Sequence, residues 1–304
     1  MTLDITPSLD THDEISSQRA SLLPKIPVTR RGFVMASLMT GYTMAAGPVN
    51  AQATVKTDTT GLDAREIKVK TKDGEMPAYM ARPTNKKNPA VVLVCQEIFG
   101  VHEYIKDTCR RLAKAGYLAI APELYARQGD PSKYQMSEIP KLLAEIVSKV
   151  PDAQVMGDFD ACVAWAKANG GNVKKLAITG FCYGGRITWL YAAHNPNVKA
   201  GVAWYGRLTG AKNPVAPANP IDVVDKINAP ILGLYGGEDP GIPNNTVAEM
   251  QAALAKAGKK KSDFVLYRTA PHGFHADFRA SYRKDAAEDG WQRLLAWFKA
   301  NGVA

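Results

Sequence analysis

Cysteine and histidine are scarce in this chain, with four and five in 304 residues. They show none of the paired spacings, C-x-x-C or H-E-x-x-H, on which common zinc sites are built, so the sequence offers no case for a metal centre. A resolving cysteine close to any other is also missing, which weighs against a dithiol redox motif. No uninterrupted apolar run reaches the roughly 20 residues that a membrane-crossing helix needs. The best stretch, from Phe33 to about Val49, is broken by Gly41, Gly47 and Pro48. Short internal repeats and low-complexity tracts are absent. Acidic residues are outnumbered, 29 against 38 basic, for a formal net charge of +9. The basic residues are scattered, however, and the densest run, Lys259 to Lys261, reads as a solvated helix end. The balance is compatible with an anionic small molecule or an acidic surface and gives no case for nucleic acid.

What is present is an ordinary globular composition, 46% hydrophobic and 22% charged, preceded by a leader-like segment. Thr29-Arg30-Arg31-Gly32-Phe33-Val34 opens the weakly apolar run and Ala51-Gln52-Ala53 closes it. The layout is that of an export signal with a small-x-small cleavage site, and the paired arginines resemble a twin-arginine signal, with Met35 where a lysine is often found. Residues 1–53 are therefore expected to be a cleaved signal peptide and the protein to be periplasmic, without stable membrane insertion after cleavage. A disordered extension, a core helix or a membrane anchor are the alternatives.

From Arg65 onward strand and helix patterns alternate without a linker, predicting one domain over 54–304. A hairpin is expected around Asp73-Gly74. Ala90 to Cys95, apolar on both faces, reads as a buried parallel strand. Helices are predicted at about Tyr104–Ala115, over a long region Lys133–Asn169, and at about Gly184–Ala193, Asn245–Ala257 and Asp285–Lys299. Strands fall at Leu118–Ala121, Leu176–Thr179, Ala200–Trp204, Ile231–Tyr235 and Phe264–Tyr267. This alternation predicts an α/β fold with a mostly parallel central sheet and helices on both faces.

Gly180-Phe181-Cys182-Tyr183-Gly184-Gly185 lies between a predicted strand and a predicted helix. It has the form of a nucleophile elbow with cysteine in the usual place of serine. The sharp turn would push the thiol into the open, small neighbours would make room for it, and the helix N-terminus would favour a thiolate. A packing role at a tight turn is the alternative. Cys95, Cys109 and Cys162 read as small buried hydrophobes, and no disulfide is expected. In this fold the chain order is nucleophile, acid, histidine, and two later strands end in Gly-Gly-Glu238-Asp239-Pro and Pro-His272-Gly-Phe-His275. Asp239 and His272 are the expected acid and base, with Glu238 and His275 as competitors. His102 and His194 read as structural or surface residues.

Taken with Gln96-Glu97-Ile98-Phe99-Gly100, Pro122-Glu123-Leu124-Tyr125-Ala126-Arg127 and Pro-His-Gly-Phe-His, these motifs resemble the dienelactone hydrolase (carboxymethylenebutenolidase) family of the α/β-hydrolase superfamily, from about Arg65 to the end. The resemblance implies that Glu97 helps to generate the thiolate when substrate arrives. It also implies that the backbone N–H groups of Ile98 and Tyr183 form an oxyanion hole, and that Arg127 holds a substrate carboxylate. Dienelactone-specific members carry a further carboxylate-binding arginine after the acid loop, where this chain reads Gly241-Ile242-Pro243-Asn244-Asn245, so a preference for neutral substrates is expected. The reading is a monomeric hydrolase of a lactone or carboxylic ester, working through a Cys-His-Asp triad and an acyl-cysteine with no cofactor. A ligand-binding protein that keeps the fold without turnover, or a periplasmic thiol redox protein, are the rival readings.

Overall fold

The structure, a computed structural model, describes residues 56–304. The proposed signal peptide lies outside the described residues. Eight strands form one sheet in the order β1-β2-β4-β3-β5-β6-β7-β8. β1 (Leu62–Thr71) and β2 (Gly74–Pro83) form the expected hairpin, with Ile67 and Val69 turned inward and Glu66, Lys68 and Lys70 outward. β2 pairs antiparallel with β4 (Leu118–Pro122). All later pairings are parallel, through β3 (Ala90–Cys95), β5 (Asn172–Phe181), β6 (Val198–Trp204), β7 (Ile231–Gly236) and β8 (Asp263–Tyr267). Every residue of β3, β4 and β7 is buried, because crossover helices cover both faces of a parallel sheet and leave no solvated side to alternate toward.

The helices are α1 (Glu103–Lys114), α2 (Ile139–Glu145), α3 (Asp152–Ala168), α4 (Tyr183–His194) and α5 (Asn244–Lys256), all between strands, and α6 (Lys284–Ala300), which closes the chain after β8. α1 shows how the pattern dictates packing. Tyr104, Ile105, Thr108, Cys109 and Leu112 recur at helical spacing and are buried, with Glu103 in the first turn and Arg111 and Lys114 in the last, as the helix dipole favours. The long helical region expected over Lys133–Asn169 is not one helix. Pro140 starts α2 and Pro151 caps α3, with short 3-10 turns at Pro131–Lys133, Met136–Glu138 and Val147–Lys149. A proline lacks the N–H that a continuous helix would require and pushes its predecessor out of helical geometry, so the apolar period ran across breaks. A seven-residue 3-10 stretch, Pro220–Lys226, carries no strong period and escaped the sequence reading. Among the described residues no helix is long and apolar enough to cross a membrane.

The carboxyl ends of β3, β5 and β6 come together so closely that glycine is obligatory there. A Cβ on Gly184 would press against the carbonyl oxygens of Cys95 and Gln96, the latter at 2.7 Å, whereas one on Gly157, exposed on α3, would meet nothing within 4 Å. Gly184→Ala is therefore expected to lower stability by about 1–3 kcal/mol through overpacking. Gly157→Ala should be neutral or stabilising by up to about 1 kcal/mol. Urea-unfolding midpoints of the two variants check both, with unchanged slopes.

Candidate active site

Each of the motifs singled out in the sequence ends up beyond the carboxyl end of a strand, the edge at which loops of an open parallel sheet gather. Cys182 joins β5 to α4 and has φ 57°, ψ −110°. For a side-chain-bearing residue this is strained, at a cost of about 1–3 kcal/mol. The surroundings over-determine it. The Cys182 N–H donates to the Trp204 carbonyl on β6 at 3.0 Å, and the Cys182 carbonyl accepts from the N–H groups of Gly185 at 3.0 Å and Arg186 at 3.3 Å. A Cβ on Gly185 would meet Gly206 at 2.8 Å. Tyr205, directly after β6, has a positive φ of its own, 38°, and donates its N–H to Leu234 on β7 at 2.8 Å. The strain of the elbow is thus shared with the neighbouring strand end.

Asp239, in the turn after β7, is buried while Glu238 beside it is exposed. Its Oδ1 accepts the Gly241 N–H at 2.9 Å and its Oδ2 meets Nδ1 of His272, from the loop after β8, at 2.6 Å. Burial by itself favours neutral imidazole, but Cys182 and then Asp239 hold His272 well above the usual histidine range. The ring of Tyr205 packs edge-on against His272 with centroids 5.1 Å apart. The structure therefore pairs His272 with Asp239, within electrostatic reach of Cys182, and gives His275 different partners. Nδ1 of His275 lies 2.6 Å from the Tyr104 hydroxyl, and its ring packs at a tilt against Trp204 with centroids 4.4 Å apart. Burial, with Arg111 adding to it, depresses His275 to about 3. A ring that stays neutral accepts from Tyr104 and serves the core.

Glu97 follows β3 and is fully buried. Its two oxygens are gripped by Arg279, Oε1 by Nη1 at 3.1 Å and Oε2 by Nη2 at 2.8 Å, and His102 Nε2 stands 3.4 Å from Oε2. Burial opposes its ionised form, but Arg279 and then His102, with a smaller contribution from His272, bring the carboxyl down to about 2. Arg279 is itself buried, lying between the rings of Phe99 and Phe278 at 5.1 and 4.9 Å. It lies within electrostatic reach of Cys182.

His102, read as a structural or surface residue, has its side chain within 3.4 Å of Glu97. The contacts of Arg127 lie elsewhere. It sits in the turn after β4 and forms a two-pronged pair with Asp158 of α3, both contacts at 2.9 Å, while also holding Thr71 at 3.0 Å and lying 3.6 Å from Asp73 at the β1–β2 hairpin. The guanidinium at the site is that of Arg279, which the sequence reading missed. It belongs to an irregular loop with no period to mark it, and the only hint was an arginine between aromatic residues shortly after the histidine. Ile98 is buried next to Glu97, and Tyr183 is the first residue of α4, so its N–H has no acceptor within the helix. His194 pairs with Asp160 at the surface at 2.7 Å. Cys95, Cys109 and Cys162 are separate buried thiols that burial pushes up. No group of three or more histidine, cysteine or acidic side chains among the described residues is arranged to hold a metal ion.

Comparison with known proteins agrees with this architecture. The sequence profile of the "Dienelactone hydrolase family" matches residues 76–302. A "Putative carboxymethylenebutenolidase" of Methylorubrum extorquens is 56% identical over 285 residues, 93% of this chain and 97% of that protein. One of the same description from Escherichia coli K12 is 53% identical over 263 residues, 86% of this chain and 96% of its own length. Among solved structures, the "Putative Dienelactone Hydrolase from Klebsiella pneumoniae subsp. pneumoniae MGH 78578" superposes with a TM-score of 0.76 at 56% identity, covering 78% of this chain and 98% of that one. With its strand order, its cysteine elbow and relatives that match it nearly end to end, this chain belongs to the dienelactone hydrolase family of α/β-hydrolase-fold proteins.

Proposed function

We propose that the protein hydrolyses a lactone or carboxylic ester through Cys182, His272 and Asp239. The observation that carries the reading is the 2.6 Å contact between His272 and Asp239, at an imidazole within electrostatic range of a cysteine held in a positive-φ turn. The thiolate sulfur attacks the ester carbonyl and the C=O electron pair moves onto oxygen, where the N–H groups of Ile98 and Tyr183 are the candidate donors. Collapse breaks the C–O bond, and the departing alkoxide takes the proton held on His272. Water then gives a proton back to His272 and attacks the acyl-cysteine, the C–S bond breaks, and the thiolate–imidazolium pair is restored. Asp239 keeps the ring oriented and balances its charge throughout.

Arg279 revises the substrate expectation. Two of its nitrogens hold Glu97, and its buried Nε has no hydrogen-bond acceptor among the described residues. A guanidinium of this kind, in electrostatic range of Cys182, is suited to a substrate carboxylate. The preference for neutral substrates expected from the empty acid loop is replaced by a preference for esters or lactones with an anionic group, for which Glu97 and the ligand would compete. A carboxylate that detached Glu97 would free it to help generate the thiolate, the role the family resemblance gives it. The paired arginines at 30 and 31 and the small-residue site at 51–53 support export of this enzyme to the periplasm, where it would act as a monomer.

With p-nitrophenyl acetate as a neutral reporter, Cys182→Ala is expected to lose essentially all turnover, and Asp239→Asn to fall by about 10³–10⁴-fold. Equal rates in wild type and Cys182→Ala would return the protein to a binding or redox role. Alkylation of Cys182 with stoichiometric iodoacetamide should likewise abolish turnover.

Arg279→Met leaves a carboxylate stranded in the interior and is expected to lower stability at neutral pH by about 3–5 kcal/mol. The sign with pH follows from the depressed Glu97 carboxyl. The pair's contribution is complete above the ordinary value of 4.5 and is lost as pH falls toward about 2. The gap between wild type and variant, read from urea unfolding, should therefore narrow as the buffer is taken from pH 7 to about pH 3. A gap of constant size would show that Glu97 is not the charged partner.

A further inference from the structure

Glu97 leaves two buried donors near it unused. One is Nε of Arg279 and the other is the hydroxyl of Tyr205, and neither has a hydrogen-bond partner among the described residues. A buried donor left unmet is costly, and native interiors seldom keep one without a reason. Tyr205 is fully buried directly after β6, and its positive φ of 38° is an outlier for a residue with a bulky ring. The conformation is held by its N–H, which donates to the Leu234 carbonyl at 2.8 Å, and the ring is wedged between Phe274 and His272 with centroids 5.2 and 5.1 Å away. Strain kept at such a place fixes where a side chain points. The hydroxyl is within electrostatic reach of both Glu97 and Arg279. The Tyr104 hydroxyl is also near enough to interact with it, but that group meets His275 Nδ1 at 2.6 Å and is not aligned to hydrogen-bond Tyr205. Burial, then Tyr104 and Glu97, push the Tyr205 phenol well above its ordinary range, so it keeps its proton and remains a donor.

A ligand that replaces Glu97 on Arg279 exchanges one carboxylate for another on the same guanidinium. That exchange by itself is close to neutral, so the ligand must gain contacts that Glu97 does not make. Glu97 spends its two oxygens on Nη1 and Nη2, at 3.1 and 2.8 Å. We propose that Tyr205 completes the carboxylate seat, its hydroxyl donating to one oxygen of the ligand's anionic group while Nε of Arg279 donates to the other. The inference rests on the reading of Arg279 as a carboxylate seat. It makes Tyr205 a specificity residue for anionic esters and lactones, because a hydrogen bond to a charged acceptor is worth roughly twice one to a neutral acceptor. It also supplies the surplus that lets a ligand displace Glu97 toward its role beside Cys182. Ring and hydroxyl then have separate tasks, the ring packing against the imidazole of His272 and the hydroxyl holding the substrate.

The test compares crotonate with crotonamide, a neutral molecule of nearly the same shape, neither having an ester to cleave. The readout is the concentration of each that half-protects Cys182 from iodoacetamide, located by mass spectrometry and independent of turnover. Wild type should be protected by crotonate at a concentration about tenfold or more below that of crotonamide. Tyr205→Phe keeps the ring and removes the hydroxyl. Its half-protecting crotonate concentration should rise by about tenfold to a hundredfold, with a smaller rise for crotonamide, so that the preference for the acid narrows. Because the hydroxyl has no partner in the free protein, the urea midpoint of Tyr205→Phe should equal or exceed that of wild type. A lower midpoint would show the hydroxyl engaged in a structural hydrogen bond and overturns the proposal. An acid preference in wild type that Tyr205→Phe retains in full overturns it too, and leaves Arg279 as the carboxylate seat. Equal protection of wild type by acid and amide removes that seat and the proposal with it. Whether the chain is a cysteine hydrolase is settled separately by p-nitrophenyl acetate and Cys182→Ala.

Discussion

Everything at this edge of the sheet depends on holding one cysteine in a backbone conformation that its side chain disfavours. Cys182 can keep a positive φ because its N–H and carbonyl are both committed, the one to β6 and the other to the first turn of α4. Gly180, Gly184 and Gly185 let three strand ends approach to a distance that a Cβ would prevent. Local strain of about 1–3 kcal/mol is small against the packing that enforces it. The result is a cysteine held at the start of a helix, within electrostatic range of an imidazole that a buried aspartate contacts at 2.6 Å.

A second constraint is electrostatic. The interior contains a carboxylate, Glu97, and a guanidinium, Arg279, that neither could keep alone. Their loops are tied to the scaffold by further ion pairs. Arg111 on α1 bridges Asp107, at 2.5 Å, and Asp277, two residues before Arg279. Arg110 and Asp107 anchor the incoming chain through the carbonyl and N–H of Thr57 at 3.0 and 2.6 Å. α1 is in this sense a charged strut. Its buried face packs on the sheet, and its polar residues hold the loop that supplies both His272 and Arg279. The neutral His275, hydrogen-bonded to Tyr104 from the same helix, fastens that loop from inside.

Local signals carried far in this chain. Strand positions were readable because parallel strands buried on both faces are continuous apolar runs, and β3 coincides with its predicted span, Ala90 to Cys95. The His272–Asp239 contact was readable because a Gly-Gly-Glu-Asp turn and a Pro-His loop each follow a strand pattern in the order that the fold requires. Where a signal was not local, it was misjudged. The helical period over 133–169 continued across Pro140 and Pro151, and the chain breaks there. His102 looked like an ordinary helix-start residue, since nothing in the neighbouring residues indicates that its ring turns back over the loop toward Glu97.

The sequence by itself determined the class of fold, and it singled out Cys182, Asp239 and His272 as candidates, because each lies in a short motif whose backbone chemistry is nearly self-sufficient. Only the tertiary structure decided which arginine pairs with Glu97. Arg127 and Arg279 are both loop arginines, 55 and 97 residues from Cys182 along the chain. One is neutralised by Asp158 at the hairpin and the other is enclosed between two phenylalanines against Glu97. That outcome depends on where distant segments pack, and an interior charge is placed by the partner it finds there.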